Sequence, residues 1–185
     1  MTTLHEYLGL KRDAYRALKQ KARSPDYRPN ELVARVSVEG RSGVRRIRVR
    51  DFQILTDSPP NFVGYDLGPS SPEVALGALG SCLSHTWLIQ AAAHDLPLDA
   101  VDVEVRGRVD LRTGEPGHEN IPPEPHGIAF TVNLTTDAPQ AAIDTVAAAV
   151  ERACPILNLL RRPQHVTAQV NRIVAEPAAE LEGAA

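Results

Sequence analysis

Two patterns of apolar residues take turns along this chain, one repeating every second position and one every third or fourth. The first occurs at Ala34, Val36 and Val38, at Ile47 and Val49, strictly from Val101 to Leu111, at Ile128, Phe130, Val132 and Leu134, and at Val166, Ala168 and Val170. Side chains of a strand point alternately to its two faces, so each run predicts a strand with one dry face and one wet face. Glu39-Gly40-Arg41-Ser42-Gly43 forms the turn between the first two. Phe52 and Ile54 carry the second run on as far as the breaker Thr56-Asp57-Ser58-Pro59-Pro60. Arg46, Arg48 and Arg50 fall on the face opposite Ile47 and Val49, and we read them as a solvated strand face rather than a basic docking patch.

The helical stretches have recognisable starts. Thr3 followed by Glu6 fits a capping box for a helix reaching Arg23. Ser70 or Ser71 caps the next, with Pro72 in its first turn and Glu73 placed to complete a capping box on Ser70. That helix runs to about His94 and is apolar on almost every side, which predicts burial against more than one layer. Gly77 and Gly80 weaken it by about 1 kcal/mol each relative to alanine, so something is expected to approach closely there. Asp137 is the expected cap of a third helix, Pro139 to Ala153. Pro155 disfavours helical geometry at Cys154 and restarts a short helix to Leu160. The order α-β-β-α-β-β-α-β lacks the rhythm of a parallel sheet, so the class is α+β.

At 185 residues, 43% of them hydrophobic, the chain can bury one compact core. We divide it into a helical extension over 1–30, a main domain over 31–175 and a frayed tail over 176–185. A net charge of -3 argues against nucleic acid as the main partner. No apolar run is long enough to span a bilayer, and the N-terminus lacks the apolar core of a signal peptide, so the expected location is the cytoplasm. Disulfides seldom persist there, which makes the two cysteines candidates for chemistry rather than staples.

Cys82 sits mid-helix, where a free cysteine is commonly a small apolar filler. Cys154 stands just before a helix-starting proline, a position that favours the thiolate, with Arg152, Arg161 and Arg162 near in sequence. Glu73 reads as a functional carboxylate or as a first-turn glutamate meeting the helix dipole. Arg41, in its Gly-Arg-Ser-Gly turn, is either a solvated turn arginine or a cation able to lower a thiol pKa and hold a peroxide oxygen. Cys82-x-x-His85 puts a thiol and an imidazole on one helical face. Joined by Cys154, that pair would make a three-ligand metal site, or without it a nucleophile pair for acyl transfer. We expect neither a metal nor a cofactor.

Three of these segments resemble the OsmC/Ohr family. They are Gly68-Pro69-Ser70-Ser71-Pro72-Glu73 through Gly80-Ser81-Cys82, the segment Val150-Glu151-Arg152-Ala153-Cys154-Pro155-Ile156-Leu157-Asn158, and the turn Gly40-Arg41-Ser42-Gly43. The resemblance implies an OsmC-like fold, antiparallel sheets around long buried helices, in an intertwined homodimer. It implies a two-cysteine peroxidase reducing organic hydroperoxides. Cys82 attacks, Cys154 resolves, and an external dithiol such as a lipoylated protein restores both. Arg41, with Arg45 as the alternative, would activate the thiolate, and Glu73 would be the site carboxylate. The family's glutamate position is occupied by Pro72, and the shift to Glu73 turns about 100° of helix. The contrasting expectation is a non-catalytic OsmC-like protein holding a small hydrophobic ligand. The N-terminal helix is expected to wrap over the dimer partner.

Overall fold

The structure, a computed structural model, describes residues 3–173. Helix α1 (Leu4–Ala22) begins as its sequence predicts. The Thr3 N–H donates to the Glu6 carboxylate at 2.8 Å, and the Glu6 N–H donates to the Thr3 hydroxyl at 3.2 Å. Strands β1 (Arg35–Val38), β2 (Arg45–Val49) and β3 (Phe52–Thr56) form an antiparallel meander. The extended run expected through Ile54 is therefore two strands. Arg50, at a φ of 55°, turns the chain back so that Val49 pairs with Phe52. In register, Val36, Ile47 and Ile54 share one face, and Arg35, Arg48 and Gln53 share the other.

After a single 3-10 turn at Pro60–Phe62 comes the long helix α2 (Ser71–Ala93). It packs on a two-stranded antiparallel sheet, β4 (Ala100–Arg108) with β5 (His126–Thr135). Helices α3 (Gln140–Ala153) and α4 (Pro155–Arg161) also pack on α2, while α1 packs along its C-terminal half. Leu79, Leu83, Trp87 and Ala91 of α2 meet Val146 and Val150 of α3, Leu157 of α4 and Leu8 of α1 in one cluster. The dry sheet face, with Val101, Val103, Val105, Phe130, Val132 and Leu134, packs onto it. Gly80 explains itself here: a Cβ would stand 3.3 Å from Val105, so the missing side chain lets β4 approach. Gly77 does not, because it faces open space.

Three expectations need correction. The element order is α-β-β-β-α-β-β-α-α, without a strand at Val166–Val170. That segment pairs with neither sheet, and Val166 and Val170 lie open to solvent. A strand needs a ladder to satisfy its backbone, and nothing within the described residues supplies one. Asp137 does not cap α3, whose cap is Pro139. The Thr136 hydroxyl organises the turn instead, accepting from the Ala138 N–H at 3.1 Å and donating to the Pro97 carbonyl at 2.6 Å. The N-terminal helix packs on its own chain, with Lys11 meeting His85 and Arg12 paired with Asp95, which leaves the expected wrap over a dimer partner a proposal. Finally, α2 is apolar all round but not covered all round: its buried residues begin at Leu79. The tail over 176–185 lies outside the described residues.

Candidate active site

Cys82 reaches the α3–α4 junction because α2 lies against both helices. Cys154 is the single residue between them, extended at φ -69° and ψ 114°, so its side chain is aimed from a fixed corner rather than along a helix face. The Cys154 N–H still donates to Val150 O, and its carbonyl accepts from the Asn158 N–H, so both helices grip it. The two sulfurs stand 3.4 Å apart, both as free thiols. A disulfide needs about 2 Å, which is a small closing movement. Cys154 is fully buried, while Cys82 is half-buried.

Burial pushes the Cys82 thiol up, and the nearness of Cys154 adds to that; the Ile156 N–H and the Thr86 hydroxyl pull the other way. No lysine or arginine enters this balance. The same thiol that is best placed to attack therefore lacks, among the described residues, the positive charge that would ionise it at neutral pH.

The remaining predicted residues are spread out. Arg41 is exposed at its turn and makes no hydrogen bond or ion pair among the described residues. Arg45 is fully engaged: its guanidinium donates to Gly43 O at 2.6 Å, Asp57 O at 3.0 Å and the Thr56 hydroxyl at 3.2 Å. The Glu73 carboxylate accepts from both the N–H and the hydroxyl of Ser70 at 2.7 Å, and these bonds hold its pKa below the ordinary value. Nine residues of helix, about 13 Å, separate it from Cys82. His85 faces Lys11, whose ammonium lies 2.7 Å from its Nε2, and burial with that neighbour lowers its pKa. The metal site imagined from Cys82, His85 and Cys154 is not assembled, and no group of three ligating residues occurs among the described residues.

Sequence reasoning missed two features. Asp57 read only as part of a breaker, yet it is buried and its carboxylate accepts from the N–H groups of Tyr65 and Leu67 at 2.9 and 3.2 Å. It ties β3 to the segment leading into α2. The other is Asn158, four residues beyond Cys154, whose spacing to a helix-starting cysteine was the available signal. No helix among the described residues is long and apolar enough to cross a membrane.

An α+β chain with small antiparallel sheets, and a thiol pair pinched between a long helix and a helix break, defines a class. The chain belongs to the OsmC family: the family model described as OsmC-like protein matches residues 64–169, more than half of it. Among solved structures it is similar to an OsmC-like protein from Mycoplasma pneumoniae, at a TM-score of 0.59 and 17% identity, covering 72% of this chain and 88% of that one. A second similar structure is an organic hydroperoxide resistance protein OsmC from Legionella pneumophila, at 0.51 and 15%, covering 73% and 92%. A third is an osmotic stress induced and detoxification response protein from Psychrobacter arcticus, at 0.56 and 14%, covering 72% and 90%. At these identities the likeness speaks for the fold. Comparison with curated proteins gave no match.

Proposed function

We propose that the chain is a thiol peroxidase that reduces organic hydroperoxides in a reducing compartment such as the cytoplasm. The observation that carries this reading is the pair of free sulfurs 3.4 Å apart, one reachable and one sealed. Reachability assigns the roles. The Cys82 thiolate attacks the O–O bond of the hydroperoxide, forming a sulfenic acid and releasing the alcohol. The Cys154 thiol displaces water from that sulfenic acid, and the Cys82–Cys154 disulfide forms. An external dithiol, of the kind a lipoylated protein carries, takes the two oxidising equivalents and returns both thiols.

The ionising charge comes, in this proposal, from Arg41. Arg45 spends its donors on the turn and on β3, whereas Arg41 is uncommitted. A homodimer supplies the means of bringing it in. The face of the β1–β3 sheet carrying Val36, Val38, Phe52 and Ile54 is left open by the described residues, and a second copy is the occupant that would cover it and carry Arg41 to a thiol site. Glu73 stays in the proposal as the carboxylate that fixes the start of the Cys82 helix.

The test is a thiol count before and after one equivalent of a cumene-type hydroperoxide. We expect two thiols per chain to disappear, with the Cys82–Cys154 disulfide found by peptide mass mapping. Cys82→Ser should abolish turnover, and Cys154→Ser should stop at the sulfenic acid. Dithiol-dependent turnover unchanged in Cys154→Ser would remove the resolving role. Thiols inert to hydroperoxide, with a small apolar molecule retained through purification, would favour the ligand-binding alternative instead.

A further inference from the structure

A proline after a helix leaves a fault in the hydrogen-bond ladder. In an unbroken helix the Glu151 carbonyl would accept from residue 155 and the Arg152 carbonyl from residue 156. Residue 155 is a proline and has no N–H. Residue 156 has one, but it makes no hydrogen bond to the Arg152 carbonyl. Both carbonyls are therefore deprived of their regular donor at the point where Cys154 is placed.

The Asn158 side chain fills this fault. Its Nδ2 donates to Glu151 O at 3.0 Å, to Arg152 O at 3.4 Å and to Cys154 O at 2.8 Å. One amide thus joins the last turn of α3, the cysteine and the first turn of α4. We propose that Asn158 is a positioning residue of the dithiol, its side-chain amide locking the α3–α4 break so that Cys154 is held within bonding reach of Cys82. The proposal rests on the reading of these cysteines as a working pair, but not on peroxide being their oxidant. A second link across the break, the Arg161–Glu151 ion pair at 2.9 Å, is half exposed on both sides and cannot replace it.

Position should show in the thiol–disulfide equilibrium, because holding two thiols together raises their effective concentration toward each other. The assay is equilibration with glutathione. The protein dithiol and one oxidised glutathione give the protein disulfide and two reduced glutathione molecules, with no peroxide present. Asn158→Ala removes the amide. Asn158→Asp keeps its shape but has no N–H to donate. We expect the equilibrium constant to fall about tenfold or more in both, the size set by loss of a hydrogen-bonded clamp, while Arg161→Ala leaves it unchanged. Equal constants for the wild type and Asn158→Asp, with the fold retained by circular dichroism, would overturn the proposal. If Asn158→Ala does not fold, the aspartate variant decides alone. Wild-type protein inert to hydroperoxide, together with a fallen constant in Asn158→Asp, would sink the peroxidase reading and leave the clamp standing.

Discussion

The two sheets of this molecule are built from the same kind of sequence and meet different fates. In β4 and β5, every second residue is apolar and that face lies on α2. In β1, β2 and β3 the same alternation produces a face on which Val36 and Val38 remain 60% and 65% exposed. Alternation specifies that a face will be dry, not what will dry it. The β4–β5 sheet finds its cover within the chain. Among the described residues the β1–β3 sheet does not, and Arg41, carried by its first turn, likewise finds no partner there. An uncovered apolar face and an uncommitted arginine in one region, beside a thiol in want of a cation in the other, are complementary needs, and the dimer proposed above answers them together.

The largest effect that separates the two regions is a cavity test. Leu83 is fully buried, so Leu83→Ala should destabilise the chain by about 2–5 kcal/mol. Ile54 is 46% exposed, and Ile54→Ala should cost a single chain much less. Thermal unfolding across a range of protein concentrations checks both. Leu83→Ala should lower the midpoint at every concentration, while Ile54→Glu should leave a folded chain that sediments as a monomer where the wild type is a dimer. A wild type that stays monomeric at high concentration would separate the open face from any role in pairing.

Next in size is the ionisation of Cys82. A thiol whose pKa is raised keeps its proton as pH rises through the ordinary thiol range, so a lone chain should be alkylated slowly until the solution is distinctly alkaline. An arginine brought within about 4–6 Å lowers a pKa by about 1–3 units. The pH profile of iodoacetamide reaction at Cys82, measured in a Cys154→Ser background, should therefore shift upward by about that much in Arg41→Ala. Superimposable profiles would remove Arg41 from the site.

How much of this could be read from residues depended on the range of the interaction concerned. Local events were legible: the Thr3–Glu6 cap, the start of α2 at Ser70 and the break at Cys154 each involve residues no more than three apart. Pairing was less so. The fold at Arg50 was missed because a left-handed arginine carries no marker such as glycine or asparagine. The run at Val166–Val170 has the right alternation, but its strand would need a sheet edge that the described chain does not offer it. The thiol pair was reached through resemblance, since 72 residues separate its members and no periodicity links them. Asn158 was quoted within that resemblance without a role, because its importance lies in two carbonyls deprived of donors and appears only once the hydrogen bonds across the helix break are known.

The smallest effect concerns Glu73, which the sequence left between chemistry and capping. Its pKa is lowered by the Ser70 hydroxyl first and the Ser70 N–H second. A carboxylate with a lowered folded pKa contributes stability above its ordinary value of 4.5, and that stability is lost as pH falls through the lowered folded value. Glu73→Gln should therefore lower the thermal midpoint slightly at neutral pH, and the difference from wild type should vanish in acid, below both pKa values. If the carboxylate serves only to start α2, hydroperoxide turnover near neutral pH should be nearly unchanged. A large fall in turnover, with the midpoint unmoved, would instead place Glu73 among the reacting groups. It would also mean that the first turn of α2 meets the thiol in the assembled dimer, drawing the uncovered end of the helix into the same site as the uncovered sheet.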